Sequence, residues 1–176
     1  MVPDTAQLTA LIRDIPDVPE PGIVFKDITP LLADGPGFRA AVDALVAPFA
    51  DETIDVVVGM EARGFLFAAP IAYRLGAGCI PLRKPGKLPY DTVSHTYELE
   101  YGTDSLEAHV DAVTPGARVL IVDDVLATGG TAAAAVDLVT GLGGVVVGCS
   151  FLIELAFLDG RSRLASQRIS STIVVD

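Results

Sequence analysis

Basic residues are scarce in this sequence. Twelve Lys and Arg stand against twenty-three Asp and Glu in 176 residues, a formal net charge of −11. A field of that sign repels a phosphate backbone, which argues against nucleic acid as a partner. It leaves room for a small phosphorylated metabolite, because a few convergent cations and main-chain amides make a local positive site on an acidic protein. Cysteine is rarer still. Cys79 and Cys149 each sit in an apolar run that reads as a strand, without a CxxC or a Cys/His neighbour, and are expected to be buried free thiols. No basic-then-apolar leader opens the sequence, and Gly, Pro or a charge interrupts every apolar run before it reaches membrane-spanning length. A cytoplasmic location without membrane contact is therefore expected. Repeats, heptads, low-complexity tracts and linkers are also lacking. The only two histidines, His95 and His109, have no triad-like or metal-like spacing. His109 reads as part of a helix with Glu107 and Asp111, and both histidines read as bystanders.

What the chain does have is apolar substance: 51% of residues are hydrophobic and 20% charged, which excludes disorder by composition and suits one domain over residues 1–176. Four β-branched or apolar runs, at 54–58, 79–82, 119–122 and 145–155, are candidate buried strands. Segments 38–49, 65–75 and 131–142 carry helical spacing between them. Such alternation predicts an α/β fold with a central, mainly parallel sheet flanked by helices. Its ligands should collect beyond the carboxyl ends of the strands. Two stretches break the alternation: a Pro-rich N-terminal piece within about residues 1–36, and a polar segment at 83–103. Both read as elements that cover a site.

The most informative stretch begins at Val119-Leu120-Ile121-Val122, runs through Asp123-Asp124-Val125-Leu126, and ends in Ala127-Thr128-Gly129-Gly130-Thr131 before a helix. Gly129 and Gly130 let the backbone fold closely around an anion, the helix start presents N–H groups with a favourable dipole, and Thr128 and Thr131 add hydroxyls. Asp123 and Asp124 would lie about a ribose length from a phosphate bound there and could accept from vicinal hydroxyls. Taken singly, paired acids are as readily a solvated loop, and Thr131 an ordinary helix cap. A P-loop is excluded because no Lys-Ser or Lys-Thr follows the glycines, and a Rossmann fingerprint because GxGxxG spacing is absent.

In that order, strand, Asp-Asp, apolar pair, Ala-Thr-Gly-Gly-Thr and helix, the segment resembles the signature of type I phosphoribosyltransferases. Gly59-Met60-Glu61-Ala62-Arg63-Gly64-Phe65 resembles that family's diphosphate loop. By the resemblance, Glu61, Ala62 and Arg63 bind diphosphate, and the Glu61–Ala62 bond is a cis non-proline peptide. By itself Arg63 could be a surface cation on an ordinary turn. Arg83-Lys84-Pro85-Gly86-Lys87-Leu88-Pro89 gathers three cations on a proline-stiffened stretch, either a solvated loop or a rigid basic rim; Arg83 and Lys87 are the expected diphosphate ligands.

Leu99-Glu100-Tyr101-Gly102 resembles the adenine-specific branch of the family, in which a mobile loop closes over the sugar diphosphate and the acid at Glu100 handles a proton on the purine. The same residues alternate as a short β-hairpin would. Pro21-Gly22-Ile23-Val24-Phe25-Lys26-Asp27 resembles the branch's hood. Val24 and Lys26 would there read the adenine edge, Phe25 would stack on its ring, and Leu155 would close the other side. Without the resemblance, Phe25 would be assigned to the core and Pro21-Gly22 to a plain turn. The likeness runs from Ile12 to the last strand. It implies a Mg²⁺-dependent pentosyltransferase of purine salvage, a homodimer, that joins adenine to 5-phosphoribosyl 1-diphosphate and gives AMP and diphosphate. Mg²⁺ would arrive with the sugar diphosphate, with no direct protein ligand. Two rivals are a sugar-diphosphate-sensing repressor, for which no DNA-binding segment is found, and a transferase for another base, against which Leu99 to Gly102 argues.

Overall fold

A computed structural model describes residues 5–98 and 103–176. The chain opens with α1 (Thr5–Ala10), the antiparallel pair β1 (Arg13–Pro16) and β2 (Val24–Asp27), then α2 (Thr29–Ala33) and α3 (Gly35–Val46). Next come β3 (Val56–Met60), α4 (Gly64–Leu75) and β4 (Gly78–Leu82), followed by a hairpin of β5 (Thr92–Glu98) and β6 (Thr103–His109). β7 (Arg118–Leu126), α5 (Gly130–Gly141), β8 (Val145–Leu155) and β9 (Ile169–Val175) complete it.

Five strands form one parallel sheet in the order β4-β3-β7-β8-β9. Valine and isoleucine dominate its three inner strands, as a sheet covered on both faces requires. Alternation divides the core in two. Val57, Leu120 and Leu152 face one way, into a cluster with Leu31, Leu45, Phe49, Phe67 and Ile71 from the α3 and α4 side. Val58, Ile121 and Phe151 face the other, against Leu106 of the hairpin and Leu138 of α5. Burying a Phe or Leu side chain in this way is worth roughly 1.5–3 kcal/mol. On α5, Ala132, Ala134 and Ala135 are buried, and their small side chains let the helix lie close to the sheet. Asp34 caps α3 by accepting from the Gly37 N–H at 2.7 Å.

Three expectations need correction. Cys79 is exposed, because β4 is an edge strand with a neighbour on one side only; Cys149, on an inner strand, is buried, and burial pushes its thiol up to about 12. His109 is not helical: it ends β6 and pairs with Thr92 across the hairpin. The sheet has a fifth strand, β9, which Ser170, Ser171 and Thr172 hide from a search for apolar runs.

Candidate active site

The carboxyl ends of β3, β7 and β8 open on a cleft of about 500 Å³ that also receives β2 and the residues after β4. Beside it lies a smaller recess of about 70 Å³, bounded by Asp123 and Val125 and by residues 126–132. The recess owes its shape to the junction between β7 and α5. Gly129 has φ +81°, a left-handed conformation that glycine adopts without a steric penalty, and it ends the turn so that α5 begins at Gly130. The helix start directs unpaired N–H groups and the positive end of its dipole into the recess. Anions bind to such an arrangement by physics alone.

Asp123 and Asp124 lie within β7, not beyond it as the sequence suggested, and both line the cleft. Burial and the neighbouring Asp124 push the Asp123 carboxyl well above the usual carboxylate range. Asp124 is 3% exposed, and burial raises it too, with Arg63 opposing the rise. Arg63 Nε lies 2.6 Å from Asp124 Oδ2, yet that buried oxygen accepts no well-directed hydrogen bond. Asp124 thus meets the cleft as a buried carboxylate whose charge is balanced by Arg63. The same guanidinium stands 5.0 Å from the centre of the Phe25 ring, a cation–π contact.

The turn after β3 contains a cis peptide bond between Glu61 and Ala62, as the resemblance implied. Glu61 accepts from the Lys84 backbone N–H at 2.8 Å and from Arg83 Nε at 3.3 Å. These bonds, the backbone one foremost, hold its carboxyl below the usual range. Ile23, Val24, Phe25, Lys26 and Leu155 also line the cleft. Lys26 Nζ is held by Asp14 Oδ1 at 2.7 Å.

Of the basic rim, Lys84 lines the cleft, whereas Arg83 and Lys87 do not. Arg83 is fixed by two main-chain bonds with Glu107 and donates from Nη1 to the Lys87 carbonyl at 3.2 Å. Strand alternation then turns its neighbour Lys84 inward. Lys84 Nζ reaches Asp104 and, at 3.2 Å, the Tyr97 hydroxyl. Burial pulls this ammonium down, but the bonds to Asp104 and Tyr97 outweigh it and keep Lys84 above its ordinary value. Thr131 Oγ1 donates to the same Tyr97 hydroxyl at 3.2 Å, tying the hairpin to the recess. Lys84 stood in the cationic stretch of the sequence, but the bridge between Arg83 and Glu107 that turns it inward has no local sequence signal. Glu100 lies outside the described residues. His95, 3.3 Å from Asp137, and His109, which accepts from the Tyr90 N–H at 3.4 Å, stand apart from the cleft.

The family model of the phosphoribosyl transferase domain matches residues 32–174. The adenine phosphoribosyltransferase of Thermobifida fusca is 60% identical over 164 residues, 93% of each chain. The chain belongs to the adenine phosphoribosyltransferase family. Among solved structures, the adenine phosphoribosyltransferase of Thermoanaerobacter pseudethanolicus superposes with a TM-score of 0.95 at 53% identity, covering 98% of this chain and 100% of that one. The Saccharomyces cerevisiae adenine phosphoribosyltransferase gives 0.90 at 40% identity over 96% and 97% of the two chains. That enzyme was crystallised with adenine and an imino-altritol bisphosphate. The adenine phosphoribosyltransferase fold is thus shared over 96–98% of this chain.

Proposed function

We propose that this chain transfers the 5-phosphoribosyl group of 5-phosphoribosyl 1-diphosphate to adenine, releasing diphosphate and forming AMP. One observation carries the reading: Val24, Phe25 and Leu155, the carboxylates of Asp123 and Asp124, and Ala127 and Thr131 of the cradle line one cleft, which shares Asp123, Val125, Ala127 and Thr131 with the recess at the start of α5. The amides and hydroxyls of Ala127, Thr128, Gly129, Gly130 and Thr131 take the 5-phosphate. Asp123 and Asp124, both lining the cleft, accept from the ribose hydroxyls. Val24, Phe25, Lys26 and Leu155 hold the base. Glu61 and Ala62 shape the diphosphate turn, and Arg63 and Lys84 face the leaving group with Arg83 and Lys87 behind them.

In the reaction the bond from the ribose carbon to diphosphate breaks and the carbon gains positive character. Two carboxylates fixed beside it favour that charge without rearranging, and the cations stabilise the departing anion. Holding base and sugar in line contributes the orientational part of the barrier. Glu100 accepts the proton that the purine loses. Bound with the diphosphate, Mg²⁺ would supply further charge neutralisation, and the hard carboxylate oxygens of Asp123 and Asp124 fit a cation of that kind. Among the described residues no cluster of three or more His, Cys, Asp or Glu forms a metal site of its own.

Exposed Leu66 and Tyr73 on α4 support assembly into a homodimer. Light scattering should then give twice the chain mass, and a monomeric mass would refute it. The site assignment is tested by a crystal structure with AMP. Its phosphate is expected on the amides of Thr128 to Thr131 and its diol on Asp123 and Asp124; AMP bound elsewhere would remove these roles.

A further inference from the structure

Behind the phosphate cradle stands a segment that no reading of the sequence singled out. After β8 the chain makes two short 3-10 turns, Ala156–Leu158 and Gly160–Leu164, joined by Asp159 in a left-handed conformation at φ +50°. Gly160 is buried and lies directly against the cradle backbone. A Cβ on Gly160 would come 2.2 Å from the Ala127 carbonyl oxygen, and a Cβ on Gly129 would come 2.4 Å from the Gly160 carbonyl oxygen. Two glycines therefore pack main chain to main chain, and the position of one dictates the position of the other.

No sheet pairing fixes the segment that carries Gly160; its next residue does. Arg161 Nε donates to Glu154 Oε1 at 2.6 Å and Arg161 Nη2 to Glu154 Oε2 at 2.7 Å, a two-pronged pair. Glu154 is 5% exposed, sits in β8, and stands opposite Leu126, the last residue of the strand that leads into the cradle. A carboxylate buried in a parallel sheet adds little net stability even when paired, so a positional role explains it better. Arg161 also reaches Ser171 of β9 at 3.5 Å, and Leu164 is buried in the same core cluster as Leu126 and Ala132. One side chain thus ties the rear wall of the cradle to two strands of the sheet.

We propose that Glu154 and Arg161 are positioning residues for the 5-phosphate: their ion pair holds Gly160 against the Ala127 to Gly129 backbone and so sets the aim of the cradle amides. The inference rests on the reading of that recess as the 5-phosphate site and adds to it the side chains that keep it in shape. Amides displaced by a fraction of an ångström lose much of a charge-assisted hydrogen bond. The diphosphate turn follows β3, which pairs with β4 and β7 but not with β8, the strand that carries Glu154.

The test is calorimetric titration of the full chain with ribose 5-phosphate and, separately, with inorganic diphosphate, both with Mg²⁺, alongside thermal melting. Arg161→Ala and Glu154→Gln should weaken ribose 5-phosphate roughly tenfold, with diphosphate changed less than about twofold; Arg161→Lys, which keeps the charge but not the fork, should fall between. Gly160→Ala should lose ribose 5-phosphate roughly a hundredfold by pushing on the cradle directly. In turnover, KM for the sugar diphosphate should rise while KM for adenine holds. If Arg161→Ala does not fold, Glu154→Gln and Arg161→Lys decide. Variants that melt earlier but bind ribose 5-phosphate like the wild type, or that lose both ligands equally, would overturn the positioning role alone. A wild-type protein that ignores ribose 5-phosphate would overturn the reading of the recess and this inference with it.

Discussion

Asp123 and Asp124 show what the site costs the fold. Each carboxyl is raised by burial, and Asp123 also by its neighbour's charge, so the folded chain binds a proton there more tightly than the unfolded chain does. Stability then falls as pH rises from the ordinary carboxylate value, about 4, through the raised folded value, and the loss persists at neutral pH. Asp123→Asn removes the part of that penalty that Asp123 carries, and with it the repulsion between its charge and that of Asp124. It should raise the melting temperature at pH 7 by a few degrees, at roughly 2–4 °C per kcal/mol for a chain of this size. It should also lower kcat/KM by about 10²-fold or more. Calorimetry with a steady-state assay checks both; a variant less stable than the wild type would refute the assignment of the penalty.

At the scale of the element, the hairpin of β5 and β6 acts as a holder. Tyr97 and Asp104 face each other across it, and Lys84, two residues past β4, bonds to both. Lys84 thereby joins the sheet edge, the hairpin and, through the Tyr97 hydroxyl, the start of α5. Its ammonium is held above the ordinary value, so it stays charged, and its contribution would be lost only as pH rises through that raised value. Lys84→Met is expected to raise KM for the sugar diphosphate roughly tenfold, one charge-assisted contact being worth about 1.5–3 kcal/mol. Amide exchange across residues 92–109 should quicken as well. Unchanged KM and unchanged exchange would show that Lys84 neither binds nor braces.

How much of this was legible varies with the kind of signal. The start of β7, the cradle and α5 could be read directly, because apolar run, glycines and small-residue helix are local patterns that dictate local geometry, whereas the extension of β7 through Asp123 and Asp124 to Leu126 depends on pairing with β8. β8 could be read to its ends, since a strand buried on both faces is a continuous apolar run. What the sequence hid depends on partners distant along the chain. The inward turn of Lys84 is set by the Arg83 bridge to Glu107, and the exposure of Cys79 by the place of β4 at the sheet edge. The Glu154 and Arg161 pair is only seven residues apart, yet its meaning comes from Gly160 lying on Gly129. His109 was misread because Glu107 and Asp111 resemble a polar helix face, whereas its pairing with Thr92 makes it the end of a strand.

At the scale of the whole molecule, an acidic chain gathers Lys26, Arg63 and Lys84 with Glu61, Asp123 and Asp124 around one cleft. Glu61 to Arg63, Asp123 to Val125 and Leu155 come from separate stretches of sequence and meet because β3, β7 and β8 run parallel and end together, with residues 23–26 from the β1-β2 sheet beside them. The central claim is that this meeting point joins a pentose phosphate to adenine in particular. It is tested most directly by steady-state assays with adenine, hypoxanthine, guanine, xanthine and orotate, each with 5-phosphoribosyl 1-diphosphate and Mg²⁺. The account predicts AMP formation with kcat/KM for adenine at least about 100-fold above every other base. Equal or better turnover of another base, or no transfer to adenine at all, would contradict it.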